Sequence, residues 1–321
     1  MFDHGVNVPR GRRPVDLSRC PAVLPRLLLM PLLVAVLLAG CGGDAGPSST
    51  ASKPATTKAS ASFPERTTTA AGTNTTAGGR TTTDTYLKKP GPVSAKLVTH
   101  GPRDRKRVAL TFDADMTVEM LAALKDGTQQ TWIDHALFDL LRETKTPSTI
   151  FLTGMWTEHY ESFVRGLARE PELFQLENHS FDHRAWTRDC YGLPSVDTDA
   201  GKRAEVDRTM AAVARIAGVQ THYFRWPGGC HAKADQRLVA RQGQIPLEWD
   251  VVSGDPANPN TQAIVDQVLS QTKPGSIVIA HCVGAPNAPK TAEAMAQIIP
   301  ALKARGYEFV TLDGLLGPPA A

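Results

Sequence analysis

From Arg107 onward, short apolar runs alternate with longer stretches of helical periodicity. This alternation restricts the fold more than any other feature. Strands are predicted at Val108–Asp113 (VALTFD), Ser148–Thr153, Phe174–Asn178, His222–Arg225, Ile245–Asp250, Ser276–His281 and Tyr307–Leu312. Between them, Trp132–Thr144 places Ile133, Leu137, Leu140 and Leu141 on one helical face, and Glu158–Arg169, Ala204–Ala217, Thr261–Thr272 and Thr291–Arg305 follow the same spacing. Gly306 stands where a helix C-terminal cap is needed before the last strand. Strand–helix alternation with short connections builds right-handed βαβ units and so a parallel sheet. The prediction is an α/β fold in one domain, a distorted or incomplete (β/α) barrel of about seven parallel strands.

The first 85 residues are of another kind. Arg10, Arg12, Arg13, Arg19 and Arg26 lead into the apolar run Leu27–Ala39. That run is too short to cross about 30 Å of hydrocarbon, so residues 1–40 read as an export signal. Its end, Leu38-Ala39-Gly40-Cys41, resembles the lipobox of bacterial lipoproteins, which implies cleavage before Cys41 and a lipid on its sulfur. The alternative is a secreted protein cut near Ala39. In residues 42–85, 35 of 44 are Gly, Ala, Ser, Thr or Pro, too little apolar surface to offset chain entropy. Residues 41–85 are therefore expected to form a flexible tether, leaving residues 86–321 to fold. Beyond residue 40 the chain holds 30 basic and 30 acidic residues, so nothing in its charge calls for nucleic acid.

Polar side chains interrupt the apolar strands at their C-terminal ends, the face where parallel α/β barrels build their sites. Asp113 and Asp115 close the first strand, His179 and His183 follow the third, Arg225 closes the fourth, Asp250 and Asp255 follow the fifth, and His281 closes the sixth. His179 and His183 are four residues apart; if the segment turns helically, both imidazoles face one way and can share a metal. With one Asp from the first strand they would form a two-His, one-carboxylate site that keeps a position open for water. The alternative is a pair of surface histidines in a polar loop.

Taken together, Thr111-Phe112-Asp113-Ala114-Asp115, His179-Ser180-x-x-His183, Arg225-Trp226-Pro227, Asp255 and Ile279-Ala280-His281 resemble, in order, the motifs of polysaccharide deacetylases, carbohydrate esterase family 4. The segment Thr291–Leu316 is similar to that family's last helix and strand, and the resemblance spans about residues 105–316. It implies a distorted (β/α) barrel that removes acetyl groups from sugars with a divalent metal, zinc first, with cobalt or nickel as alternatives. It assigns Asp113 as general base, Arg225 as the residue that holds it, His281 as general acid and Asp255 as the residue that orients His281. Metal ligation falls to His179, His183 and Asp115, Ile279 would help wall the acetyl methyl pocket, and Gly228 keeps a backbone N–H for the oxyanion; Trp226 beside Arg225 reads either as a platform for a sugar ring or, equally, as core or rim packing.

The sequence departs from the family pattern at three points. The usual second Asp of the first motif is Ala114, so the ligand role passes to Asp115. Gly228-Gly229 stands where an aromatic residue and Gly are usual, which removes an aromatic wall, and Pro256 replaces a common Trp. Cys190 and Cys230 fall in loops on the same face and are expected to pair, as an exported domain permits, leaving Cys282 unpaired. The expected partners are a polysaccharide and, through Cys41, the outer face of the cell membrane; no protein partner is inferred. The rival readings are an O-acetyl esterase and an inactive barrel that only binds glycan or metal.

Overall fold

A computed structural model describes residues 90–319. The expected export signal, the lipidated Cys41 and the tether lie outside that range. Eight strands form one sheet: β1 (Arg107–Ala114), β2 (Ser148–Leu152), β3 (Phe174–Asn178), β4 (Tyr223–Phe224), β5 (Ile245–Pro246), β6 (Val251–Val252), β7 (Ser276–His281) and β8 (Glu308–Phe309). Their order is β5-β4-β3-β2-β1-β7-β6, with β8 beside the start of β1, and every ladder is parallel. The sheet curls into an incomplete barrel, since β5 and β6 at its two ends share no ladder.

The alternation of β1 sets the two layers. Val108, Leu110 and Phe112 turn outward into the main core, packed with Leu137, Phe138 and Leu141 of α2 (His135–Glu143) and Ile298 and Leu302 of α8 (Thr291–Ala304). Ala109 turns inward to meet Phe151, Tyr223, Leu247 and Ile277. Thr111 and Asp113 share that inner face by the period of two. A buried apolar strand thus carries its polar side chains only toward the barrel axis.

Helix ends follow local chemistry. Asp134 caps α2 by accepting from Leu137 N, and Thr198 caps α5 (Asp199–Ala217) by accepting from Gly201 N. The predicted helix Glu158–Arg169 is instead two, α3 (Gly154–His159) and α4 (Glu161–Leu167). They break at Tyr160, whose hydroxyl turns inward to accept from Trp132 N. Helices not expected include α1 (Val118–Asp126), begun by Thr117 and ended by left-handed Gly127, and α6 (Lys233–Arg241). The remaining helices are α7 (Thr261–Gln271) and α9 (Leu312–Leu316). Among the described residues, no helix is long and apolar enough to cross a membrane.

The predicted strand Ile245–Asp250 is corrected most. Its first two residues pair with β4, and the chain then crosses the barrel so that Val251 and Val252 pair with β7. Asp250 consequently lies at the start of β7, where it accepts from Ile277 N, Ser276 Oγ and Arg103 Nη2. It is a structural group on the face opposite the site.

Candidate active site

Parallel pairing aligns Asp113 of β1 with His281 of β7 and joins Asn178 of β3 to Phe224 of β4. The residues that follow β3 and β4 therefore converge on the end of β1. Asp113 is buried, and its Oδ1 accepts from Arg225 Nη1 at 2.7 Å. Arg225 has no exposed surface; its Nη2 donates to Thr111 Oγ1 and its guanidinium lies 4.0 Å from the Phe151 ring centre. Thr111 Oγ1 in turn donates to Val278 O. Such an ion pair survives burial because Asp113 and Thr111 take up the two terminal nitrogens of Arg225, although its Nε is left without a partner. Oδ2 of Asp113 stays free of the guanidinium and lies 3.5 Å from His179 Nε2.

The two histidines do not share a helical turn. Ser180 and His183 adopt left-handed φ values of 70° and 58°, which cost about 1–3 kcal/mol each and need external support. Buried Glu205 on α5 supplies it: its Oε2 accepts from Ser180 Oγ at 2.8 Å and Phe181 N at 2.9 Å, and its Oε1 accepts from Arg184. Thr209 Oγ1 donates to Ser180 O from the same helix. The rings end 5.2 Å apart. His179 Nδ1 lies 3.0 Å from Arg225 O, an obligate acceptor, so Nδ1 carries the proton and Nε2 presents a lone pair to the site.

Asp115 completes the cluster, its Oδ1 3.3 Å from Nε2 of both histidines. Asp115 Oδ1 and His179 Nε2 are buried without a hydrogen-bond partner. Buried polar atoms are normally paired. Two imidazole nitrogens and a carboxylate oxygen with unspent lone pairs suit a divalent cation, and the donor atoms of Asp115, His179 and His183 lie within 4.8 Å of one another. Asp115, one residue beyond Ala114, thus keeps a carboxylate in the cluster. Burial pushes the Asp115 carboxyl up, but His183, His179 and His281 outweigh it and hold it far below the usual range. Burial pushes His183 down, whereas Asp113 and Asp115 overcome burial to raise His179.

His281 faces Asp113 and Asp115 from β7, its Nε2 3.9 Å from Asp115 Oδ2. Its Nδ1 lies 2.9 Å from Asp255 Oδ1. Asp255 is fully buried and also accepts from Ser253 Oγ, His281 N and Thr291 Oγ1. Burial opposes the imidazolium, but the charge and hydrogen bond of Asp255 prevail and His281 is pushed up to about 10. These groups open into a cavity of about 400 Å³ whose lining includes Ile279, Gly228, Trp249 and Tyr191.

Ile279 and Gly228 thus stand at the cavity, but Trp226 does not. Trp226 is fully buried among Trp186, Phe224 and Leu238, with His231 stacked on it at 4.1 Å. Neither of its faces is available to a sugar. Cys190 and Cys230 are bonded, and Cys282 is the free, buried cysteine among the described residues. Thr111 enters the sequence reading only as part of the first motif, with no role of its own, and Ser253, Thr291 and Glu205 are not singled out there. Thr111 was legible as the inward neighbour of Asp113; Glu205, one polar residue on a long polar helix, carried no signal.

A family model described as polysaccharide deacetylase matches residues 100–245. The chain is 26% identical over 215 residues to the peptidoglycan-N-acetylglucosamine deacetylase of Bacillus cereus, covering 67% of this chain and 70% of that one. It is 31% identical to a solved structure of the T48 deacetylase with substrate, covering 65% of this chain and 90% of that one, at a TM-score of 0.50. The fold matches a solved peptidoglycan N-acetylglucosamine deacetylase at a TM-score of 0.58 and 24% identity, over 70% of this chain and 94% of that one.

Proposed function

Since the chain belongs to the polysaccharide deacetylase family, we propose that it hydrolyses acetamides of N-acetylated sugars in a cell-wall or extracellular polysaccharide, releasing acetate and a free amine. One observation carries the reading. A base held by an arginine (Asp113–Arg225) and an acid held by a carboxylate (His281–Asp255) face one cavity, on either side of the unpaired donors of Asp115 and His179. The peptidoglycan substrate named for one relative favours a cell-wall glycan here.

His179, His183 and Asp115 would hold the divalent ion, zinc by the nitrogen-rich donor set. When bound, such an ion polarises the acetyl carbonyl and acidifies water. The protein's own groups do the rest. Asp113 Oδ2 takes the proton of the attacking water while Arg225 fixes Oδ1. His281 gives its Nε2 proton to the departing nitrogen, and Asp255 on Nδ1 sets the tautomer and supports the imidazolium. Ile279 walls the acetyl methyl group. Cleavage at the lipobox and lipidation of Cys41 would hold this domain at the outer face of the cell membrane on the tether of residues 41–85. Acetate release from N-acetylglucosamine oligomers and muropeptides tests the reading. Metal-dependent acetate supports it; acetate from acetyl esters alone moves the protein to O-deacetylation.

A further inference from the structure

We propose that Tyr191 forms a sugar-stacking surface of the deacetylase groove, and that the Cys190–Cys230 bridge delivers it there. The inference rests on the deacetylase reading for the identity of its ligand, an N-acetylhexosamine ring next to the one being deacetylated.

Tyr191 is 86% exposed, the highest value among the exposed large apolar residues described, yet it lines the same cavity as Asp113, Asp115 and His281. An aromatic ring left in water at the mouth of a catalytic cavity contributes nothing to the core. Its neighbour Cys190 is 2% exposed and bonded to Cys230, so a buried anchor carries an exposed ring. The backbone is forced to make this presentation. Asp189, Tyr191 and Gly192 have φ of 59°, 50° and 75°, two of them at residues that rarely adopt left-handed φ. Strain of this kind persists where the surroundings over-determine it, and it gathers at ligand-binding positions.

Gly228 supplies the second, independent observation. A Cβ built there would sit 2.8 Å from Cys190 Sγ and 3.1 Å from Tyr191 Cδ2. The bridge and the tyrosine ring therefore stand directly over Gly228, which lines the same cavity. Glycine at 228, also left-handed at φ 63°, is what allows the loop to approach. Val252, also exposed, and Trp249 add to the apolar part of the lining, with Leu193, Pro256 and Ile279. A tyrosine offers a flat apolar face to the C–H side of a pyranose and a hydroxyl to its substituents.

The test is the dissociation constant of the N-acetylglucosamine tetramer for the full-length protein, chelator-treated so that no turnover intervenes, by isothermal calorimetry. It is paired with steady-state acetate release from the same tetramer by metal-loaded protein. Tyr191→Ala is expected to weaken binding about tenfold and to raise KM similarly, with a much smaller change in kcat. Tyr191→Phe, which keeps the ring, restores most of the affinity. The double variant Cys190→Ser/Cys230→Ser, or mild reduction, reproduces the loss. Unchanged affinity in Tyr191→Ala overturns the proposal, as does a Tyr191→Phe variant as weak as Tyr191→Ala, or absence of tetramer binding by the unsubstituted protein. Tyr191-dependent binding without acetate release would sink the proposed reaction while leaving the subsite in place. Acetate release with affinity and KM indifferent to Tyr191 would do the reverse.

Discussion

Glu248 offers a quantitative check on how the interior beneath the site is built. Its side chain is 7% exposed, and neither carboxyl oxygen makes a hydrogen bond of good geometry. His231 Nε2 approaches Oε1 only to 3.7 Å. Burial raises the carboxyl, Arg225 pulls it down, Asp113 pushes it up again, and the result is about 8 against an ordinary 4.5. In the folded protein Glu248 is therefore neutral at pH 7. A raised folded-state value means that the stability contributed by this group is complete below about pH 4.5 and is lost as pH climbs to about 8. The gap of roughly three and a half pH units, at 1.36 kcal/mol each, sets an upper limit of about 5 kcal/mol on that loss. Glu248→Gln removes the titration and keeps the shape. Any fixed cost of burying the amide is independent of pH, so the slope is the readout. Urea denaturation of both proteins at pH 4.5, 6 and 8 should show the variant gaining on the parent by up to about 4 kcal/mol across the series, since half a titration lies outside it at each end. Other groups titrate alike in both and cancel. Parallel stability profiles would refute the reasoning, because they would mean that Glu248 is already ionised in the fold.

Replacing Asp113 by Asn should cut acetate release at least a hundredfold while leaving glycan affinity within about twofold; an unchanged rate would remove Asp113 from its role as base. Glu205→Gln should weaken zinc binding about 10- to 100-fold in a chelator competition, because the left-handed loop carrying His179 and His183 loses its main anchor; unaltered affinity would show that the loop holds itself. Reducing the Cys190–Cys230 bridge, 40 residues apart in sequence, should lower unfolding stability by about 4 kcal/mol on the chain-entropy model, and equal denaturation midpoints before and after reduction would contradict it.

Much of this was legible before any coordinates. The strands with clear apolar runs, Phe174–Asn178 and Ser276–His281, lie within the predicted bounds, and the acid–base pairs converge because parallel strands bring their C-terminal ends together. What the sequence hid was set by long-range contact. Ile245–Asp250 looked like one strand because nothing local records that its two ends pair with opposite edges of the sheet. Four-residue spacing at His179 and His183 suggested a helical turn, whereas Glu205, more than twenty residues away, holds a loop instead. Trp226 next to Arg225 reads equally as a sugar platform or as core packing, and Trp186 and Phe224 enclose it in the core. Tyr191, exposed in a loop with no periodicity, gave no local sign that it stands over Gly228.

The central claim is that the cluster of Asp115, His179 and His183 serves an acetamide hydrolysis driven by Asp113 and His281. Acetate release from the N-acetylglucosamine tetramer and from muropeptides tests it most directly, comparing zinc-loaded protein, chelator-treated protein and zinc-loaded Asp115→Ala. The account predicts acetate from the first alone, with restoration when zinc returns to the chelated protein. Equal acetate from all three, or none from zinc-loaded protein holding one equivalent of metal, would contradict it.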